Sequence, residues 1–287
     1  MMYKDLFVFF RKKLLQHISL LVIIIGAISF FLSNILTKEI FSPIEYGQYS
    51  IFVTYFSLIY LLGILGFEQT FLRFSQKTTA EFIETQKIQI YILSTVSLIS
   101  SLISSVFFKI YYPEIQVNSY ILFFASFGMI SLLALFNVLR LNGNFVLSQS
   151  VSNFWKFGLL VISVSFYVFE NFGFEYFINT LGINIIIIFL CSIYVVLKTV
   201  KLKFNEVVTN RELFLSGFYF FLAILSFSLL TFSDRFLVEN KFSVELFGDY
   251  FYLTNFFFLF YCYRFLFFFY RVLMHKYLFK SRFIFFN

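Results

Sequence analysis

Charge is what this chain has least of. Only 13% of its 287 residues are Asp, Glu, Lys or Arg, against about 25% in an ordinary soluble domain. A soluble globular fold is thereby excluded, because too few charged side chains remain to cover its surface. Cysteine is nearly absent: Cys191 and Cys262 both lie within apolar runs, which excludes a disulfide framework and a thiolate metal centre. There are two histidines, His17 and His275, both outside the apolar segments. No spacing of His, Asp, Glu, Ser or Cys matches a metal site or an activated nucleophile, so neither a catalytic centre nor a cofactor is expected.

What is present is apolar surface. The hydrophobic fraction is 60% and the mean hydropathy +0.87, the signature of a helical membrane protein. The fifty Phe residues exceed any packing requirement, and a coding bias toward Phe, Ile, Leu, Asn and Lys accounts for them more simply. A helix needs about 20 apolar residues to cross a bilayer. That criterion predicts eight spans, over 18–36, 49–67, 88–108, 119–139, 151–169, 176–197, 213–232 and 248–270. The first follows the basic triplet at 11–13 but has no small-residue cleavage pattern after it, so it is read as a retained span rather than a signal peptide.

The formal charge of +7 does not imply nucleic acid, because the basic residues sit between spans and orient them. Alternate connections carry sixteen and four Lys or Arg. By the positive-inside rule the N-terminus is expected in the cytoplasm. The connections on the other side are short and leave no room for an inserted outer domain.

An internal repeat is visible. "FSPIEYGQY" at 41–49 matches "FSVELFGDY" at 242–250, with Phe, Ser, Gly and Tyr shared at a constant offset of 201. Gly47 and Gly248 are expected to open the turn into a helix, with Tyr49 and Tyr250 at headgroup level. Six spans separate the copies, so they have the same orientation, as in parallel six-helix repeats. Residues 1–212 then form a first six-helix lobe and 213–256 the first two helices of a second. Residues 257–287 form an aromatic tail that reads as truncated or frameshifted after about Phe256, since two full halves would need about twelve spans.

Four segments carry a family resemblance: "FSPIEYGQYSIF" at the start of the second span, "LLGILGFEQTFLRF" at its end, "LLTFSDRFLVE" leaving the seventh, and "FGDYFYL" beginning the eighth. Over residues 1 to about 255 the chain resembles polysaccharide biosynthesis proteins of the O-antigen and capsule flippase type, in the multidrug/oligosaccharidyl-lipid/polysaccharide exporter superfamily. The resemblance implies two six-helix lobes around a charged cavity in a bacterial inner membrane. It also implies translocation of an isoprenoid-diphosphate-linked oligosaccharide to the outer leaflet. Partners would be that lipid-linked substrate, membrane lipids and other polysaccharide-assembly membrane proteins. A polysaccharide polymerase and a multidrug exporter of the same superfamily are the alternatives; the exporter would need a carboxylate buried in the first lobe, and the sequence places every acid at a span end or in a loop.

Five charged residues are candidates for the substrate path. Arg73 and Arg140 end spans and are either positive-inside anchors or phosphate ligands. Lys156, one to two turns inside the fifth span, either snorkels to the surface or faces a cavity. Asp234 and Arg235 stand opposite Ser33 and Asn34 in the repeat and are either a boundary pair or the outer mouth of the path.

Overall fold

The computed structural model describes residues 2–78, 82–169, 173–205 and 210–257. In chain order the elements are α1 (Met2–Ile40), α2 (Pro43–Leu62), α3 (Phe67–Phe74), β1 (Gln76–Lys77), β2 (Phe82–Thr85), α4 (Lys87–Tyr111), α5 (Ser119–Leu141), α6 (Phe145–Phe169), α7 (Phe174–Thr199), β3 (Lys201–Phe204) and α8 (Asn210–Lys241). A further helix, α9, begins at 244 and reaches 257. Seven stretches among the described residues are long and apolar enough to cross a membrane, α2 and α3 together making one of them. This is an all-α, multi-pass membrane protein. The expected eighth span is helical through 257; its remainder and the aromatic tail at 257–287 lie, from 258 onward, outside the described residues.

Helix starts follow local chemistry. Ser42 caps α2, Glu45 reaches back to the Ser42 backbone N–H at 3.0 Å, and Pro43 occupies the first helical position, where its missing N–H costs nothing. Asn118 caps α5 by accepting from the backbone of Tyr120 and Ile121. The break between α2 and α3 is backbone-driven: Leu65 and Gly66 have φ of 53° and 79°, in the left-handed region that ends a helix. Beyond the break, Phe67 and Phe71 are buried and Arg73 is exposed.

The bundle is centred on α5, which packs against α2, α3, α4, α6 and α7, while α1 lies along α6. Polarity is arranged for lipid. On α4, Ser97, Ser101 and Ser105 at four-residue spacing are buried, whereas Leu102, Ile103, Val106 and Ile110 face outward. Small hydroxyl residues let helices approach, and each interhelical hydrogen bond in a membrane contributes about 0.6–2 kcal/mol. One such group joins three helices: the Tyr55 hydroxyl meets Ser126 Oγ at 2.8 Å and donates to Ser104 Oγ at 3.2 Å.

A three-stranded sheet, in the order β1-β2-β3, closes one end of the bundle. β2 pairs antiparallel with β1 and parallel with β3, with Ile83 opposite Leu202. The sequence reading assigns both segments only to connections between spans. Their pairing staples two basic loops that are far apart in sequence. This basic end carries Lys77, Lys201 and Lys203; the opposite end carries the two repeat motifs.

Candidate functional site: the contact between the two repeats

The two motifs are built alike. In the first copy Tyr46 N–H donates to Ser42 O at 2.9 Å and Glu45 N–H to Ser42 Oγ at 3.4 Å. In the second, Phe247 N–H donates to Ser243 O at 3.0 Å and Leu246 N–H to Ser243 Oγ at 3.4 Å. Each preceding helix closes in the same way, by Phe41 N–H to Thr37 O and Phe242 N–H to Val238 O. The sequence offset of 201 is thus also an offset between hydrogen-bond patterns.

The copies also meet face to face. A Cβ added at Gly47 would collide with the Val244 backbone carbonyl, and one at Gly248 would lie 3.1 Å from Gly47 Cα. Both glycines lie within helices rather than in turns, so the expectation that they open the turn is corrected: they permit backbone contact between α2 and α9. The tyrosines of the two copies both have protein neighbours. Tyr49 is fully buried beside Ser33 and Thr37, and half-buried Tyr250 donates from its hydroxyl to Asp234 at 2.5 Å. These pairs correspond at the same offset.

Contacts cross between the copies. α8 packs on α2 and α3, while α1 reaches α9 through the Lys38–Asp249 ion pair at 2.8 Å, Lys38 Nζ 4.3 Å from the Tyr252 ring, and Phe31 against Phe256. Each copy's first helix therefore lies against the other's second. Between α2, α4 and α8 is an apolar crevice of about 420 Å³, lined in part by Thr54, Tyr55, Ser104, Tyr112, Phe236 and Glu239. Tyr112 donates to Glu239 across it, and burial, then this carboxylate, raise the Tyr112 hydroxyl above its ordinary pKa.

The five candidate charges are not gathered into one cluster. Asp234 is exposed and bonded to Tyr250; Arg235 is half-buried, with its guanidinium carbon 5.2 Å from both the Phe232 and Phe251 rings. Neither has an ion-pair partner within 4 Å among the described residues. Lys156 stands eleven residues into α6, about 16 Å along its axis, because α6 begins earlier than the predicted span. Its ammonium donates to Asn153 Oδ1 at 3.1 Å and lies 5.9 Å from the Trp155 ring. Trp155 in turn packs on Phe30 of α1, about one turn from the level of Ser33 and Asn34.

Arg73 is exposed at the basic end, where it donates to Ser216 Oγ at 3.4 Å and lines a polar pocket of about 330 Å³ with Gln76, Glu84, Thr85, Gln86 and Asn205. Arg140 is exposed in the last turn of α5 and makes no side-chain hydrogen bond or ion pair among the described residues. No grouping of three or more His, Cys, Asp or Glu that could hold a metal occurs among them.

One acid is placed differently by the structure, inside the stretch Pro43–Phe74 rather than at its end. Glu68, placed at a span end by hydropathy, is 1% exposed, and its Oε2 has no hydrogen-bond partner. The available signal is its setting in "GFEQTF", an acid between aromatics directly after a Gly-Ile-Leu-Gly break. Comparison with known protein families, curated proteins and solved structures found no match.

Proposed function

We propose that the protein belongs to the machinery that moves an isoprenoid-diphosphate-linked oligosaccharide across a bacterial inner membrane, from the cytoplasmic to the outer leaflet, for surface polysaccharide assembly. The observation that carries this reading is the reciprocal contact of the two repeat copies, centred on Gly47 and Gly248. Parallel repeats related by an axis along the membrane normal are a construction of secondary transporters, with the substrate site near the interface between halves. Lys156, deep in α6 and without a carboxylate partner among the described residues, supplies a cation for a diphosphate. Arg235 and the exposed Arg73 supply planar forks suited to phosphate oxygens. The crevice between α2 and α8 has the apolar lining that a prenyl chain requires.

Deletion of the gene in its host tests this reading. Lipid-linked repeat units are expected to accumulate on the cytoplasmic leaflet. Accumulation on the outer leaflet points instead to a polymerase. A second reading, a cation-coupled multidrug exporter, is favoured by buried Glu68; unchanged surface polysaccharide together with raised sensitivity to cationic drugs in the deletion strain would select it.

A further inference from the structure

We infer that Glu68 is a proton-binding site that controls how α8 rests on the break between α2 and α3. Glu68 occupies the first turn of α3, directly after Leu65 and Gly66, whose positive φ values interrupt the helix. Its side chain is almost wholly buried, with Oε2 unpartnered. An ionised carboxylate so placed would be a buried charge without a cationic partner, met only by its own backbone N–H and the Gln69 side chain, which is unfavourable in the packed arrangement. No cation answers it. Arg73, five residues on, is exposed and turned to Ser216 of α8, and no ion pair to Glu68 exists among the described residues.

The titratable groups on the surrounding elements are few. Tyr60 of α2 is within electrostatic reach. Lys87 at the head of α4, Arg140 at the end of α5, and Arg211 and Glu212 at the start of α8 are all exposed. A carboxylate with no second acidic, His or Cys side chain grouped about it among the described residues is too sparse for a metal cation, whereas one proton neutralises it completely.

The position of the break links that proton to the rest of the molecule. Gly66 lies against the α8 backbone at Gly217, Phe220 and Phe221, so closely that a Cβ there would meet Phe221 N, and Gly217 accepts the Phe67 ring. Gly66 and Phe67, the two residues before Glu68, are thus the seat of α8. With Glu68 protonated, this seat is neutral and dry. Release of the proton to water at the basic end leaves a charge that only hydration relieves. Hydration requires the break to loosen, which lifts the basic end of α8 away from α3. The site needs no cargo to be identified and stands or falls separately from the transport reading.

The test uses the full chain in nanodiscs, with Cys191→Ala and Cys262→Ala and spin labels on cysteines introduced at exposed Gln76 and Tyr219. Infrared difference spectra should show a protonated-carboxyl C=O band that bleaches as pH rises. The band should be lost in Glu68→Gln and kept in Glu239→Gln. The distance between labels should lengthen over the same pH range in the parent and stay short in Glu68→Gln. A band that survives Glu68→Gln, or a distance that responds to pH equally with and without Glu68, overturns the inference, as does a bleaching band with a constant distance. Should Glu68→Gln fail to insert, ¹³C-glutamate labelling of the parent and of Glu239→Gln decides: the band must shift with labelled glutamate in both, and a band that shifts only with labelled aspartate rejects the site.

Discussion

The two copies of the repeat share their hydrogen-bonded caps but differ in what covers them. In the first, α6 lies along α1, and Ser33, Asn34, Thr37 and Tyr49 are all buried. In the second, the corresponding Asp234 and Arg235 are exposed and half-buried, and Tyr250 bonds to a carboxylate rather than facing a serine. Polar identity follows cover: a neutral hydroxyl or amide can bond within its own helix when enclosed, as Ser33 and Asn34 do to Phe30 O, whereas a charge enclosed without a partner costs far more. Charge therefore appears in the copy that is open. Among the described residues, the first copy encloses its polar side chains and the second leaves Asp234 exposed and Arg235 half-buried.

The largest effect expected from this comparison is all or none. Topology reporters inserted at 41–43 and at 242–244 should signal from one side of the membrane, and reporters at Lys77 and Lys203 from the other. Opposite sides for the two motif copies would make the repeat inverted rather than parallel and abolish the correspondence.

Next in size is an asymmetry between the paired glycines. Gly47→Ala forces a methyl into the Val244 backbone and should cost about 1–3 kcal/mol, read as a lower thermal midpoint in detergent. Gly248→Ala meets its neighbours at 3.1 Å and should cost less. Equal losses would mean that the contact relaxes symmetrically.

The charged pair comes third. Arg235→Lys should keep membrane insertion but reduce surface polysaccharide about tenfold, the effect of losing one charge-assisted hydrogen bond worth roughly 1.5 kcal/mol, and Asp234→Asn should weaken the Tyr250 contact. Full complementation by both variants would reduce the pair to a boundary anchor. The smallest effect is expected at the ion pair between copies. Lys38 and Asp249 have side chains 38% and 60% exposed, so a double-mutant cycle with Lys38→Met and Asp249→Asn should give a coupling of only about 0.2–1 kcal/mol.

Part of the local construction was legible in the sequence. The capping residues Ser42, Pro43 and Glu45 lie within one turn of the start of α2, but hydropathy alone placed that span at 49–67 and so passed over them. The repeat was legible, but the role of its glycines was not, since glycine serves equally in a turn and in a close helix contact and only the partner element distinguishes them. The β2–β3 pairing was hidden for a similar reason: "FIET" and "KLKF" are short, and a parallel ladder leaves no mark in either strand alone. The start of α6 at Phe145 was missed because the polar residues at 148–153 lower the hydropathy of its first turns.

Composition and hydropathy by themselves determined that this protein is a helical membrane protein, because in lipid the backbone must satisfy its own hydrogen bonds and each span must be a long apolar run. The spacing of two nine-residue motifs pointed to two helix starts, which share the same pattern of hydrogen bonds. Only the tertiary structure decided that the two motifs touch, that α8 sits on the α2–α3 break, and that Glu68 is enclosed while Arg73 is not. The reason is that burial and partnership depend on which helices pack side by side, and hydropathy, summed along one helix, carries no information about its neighbours.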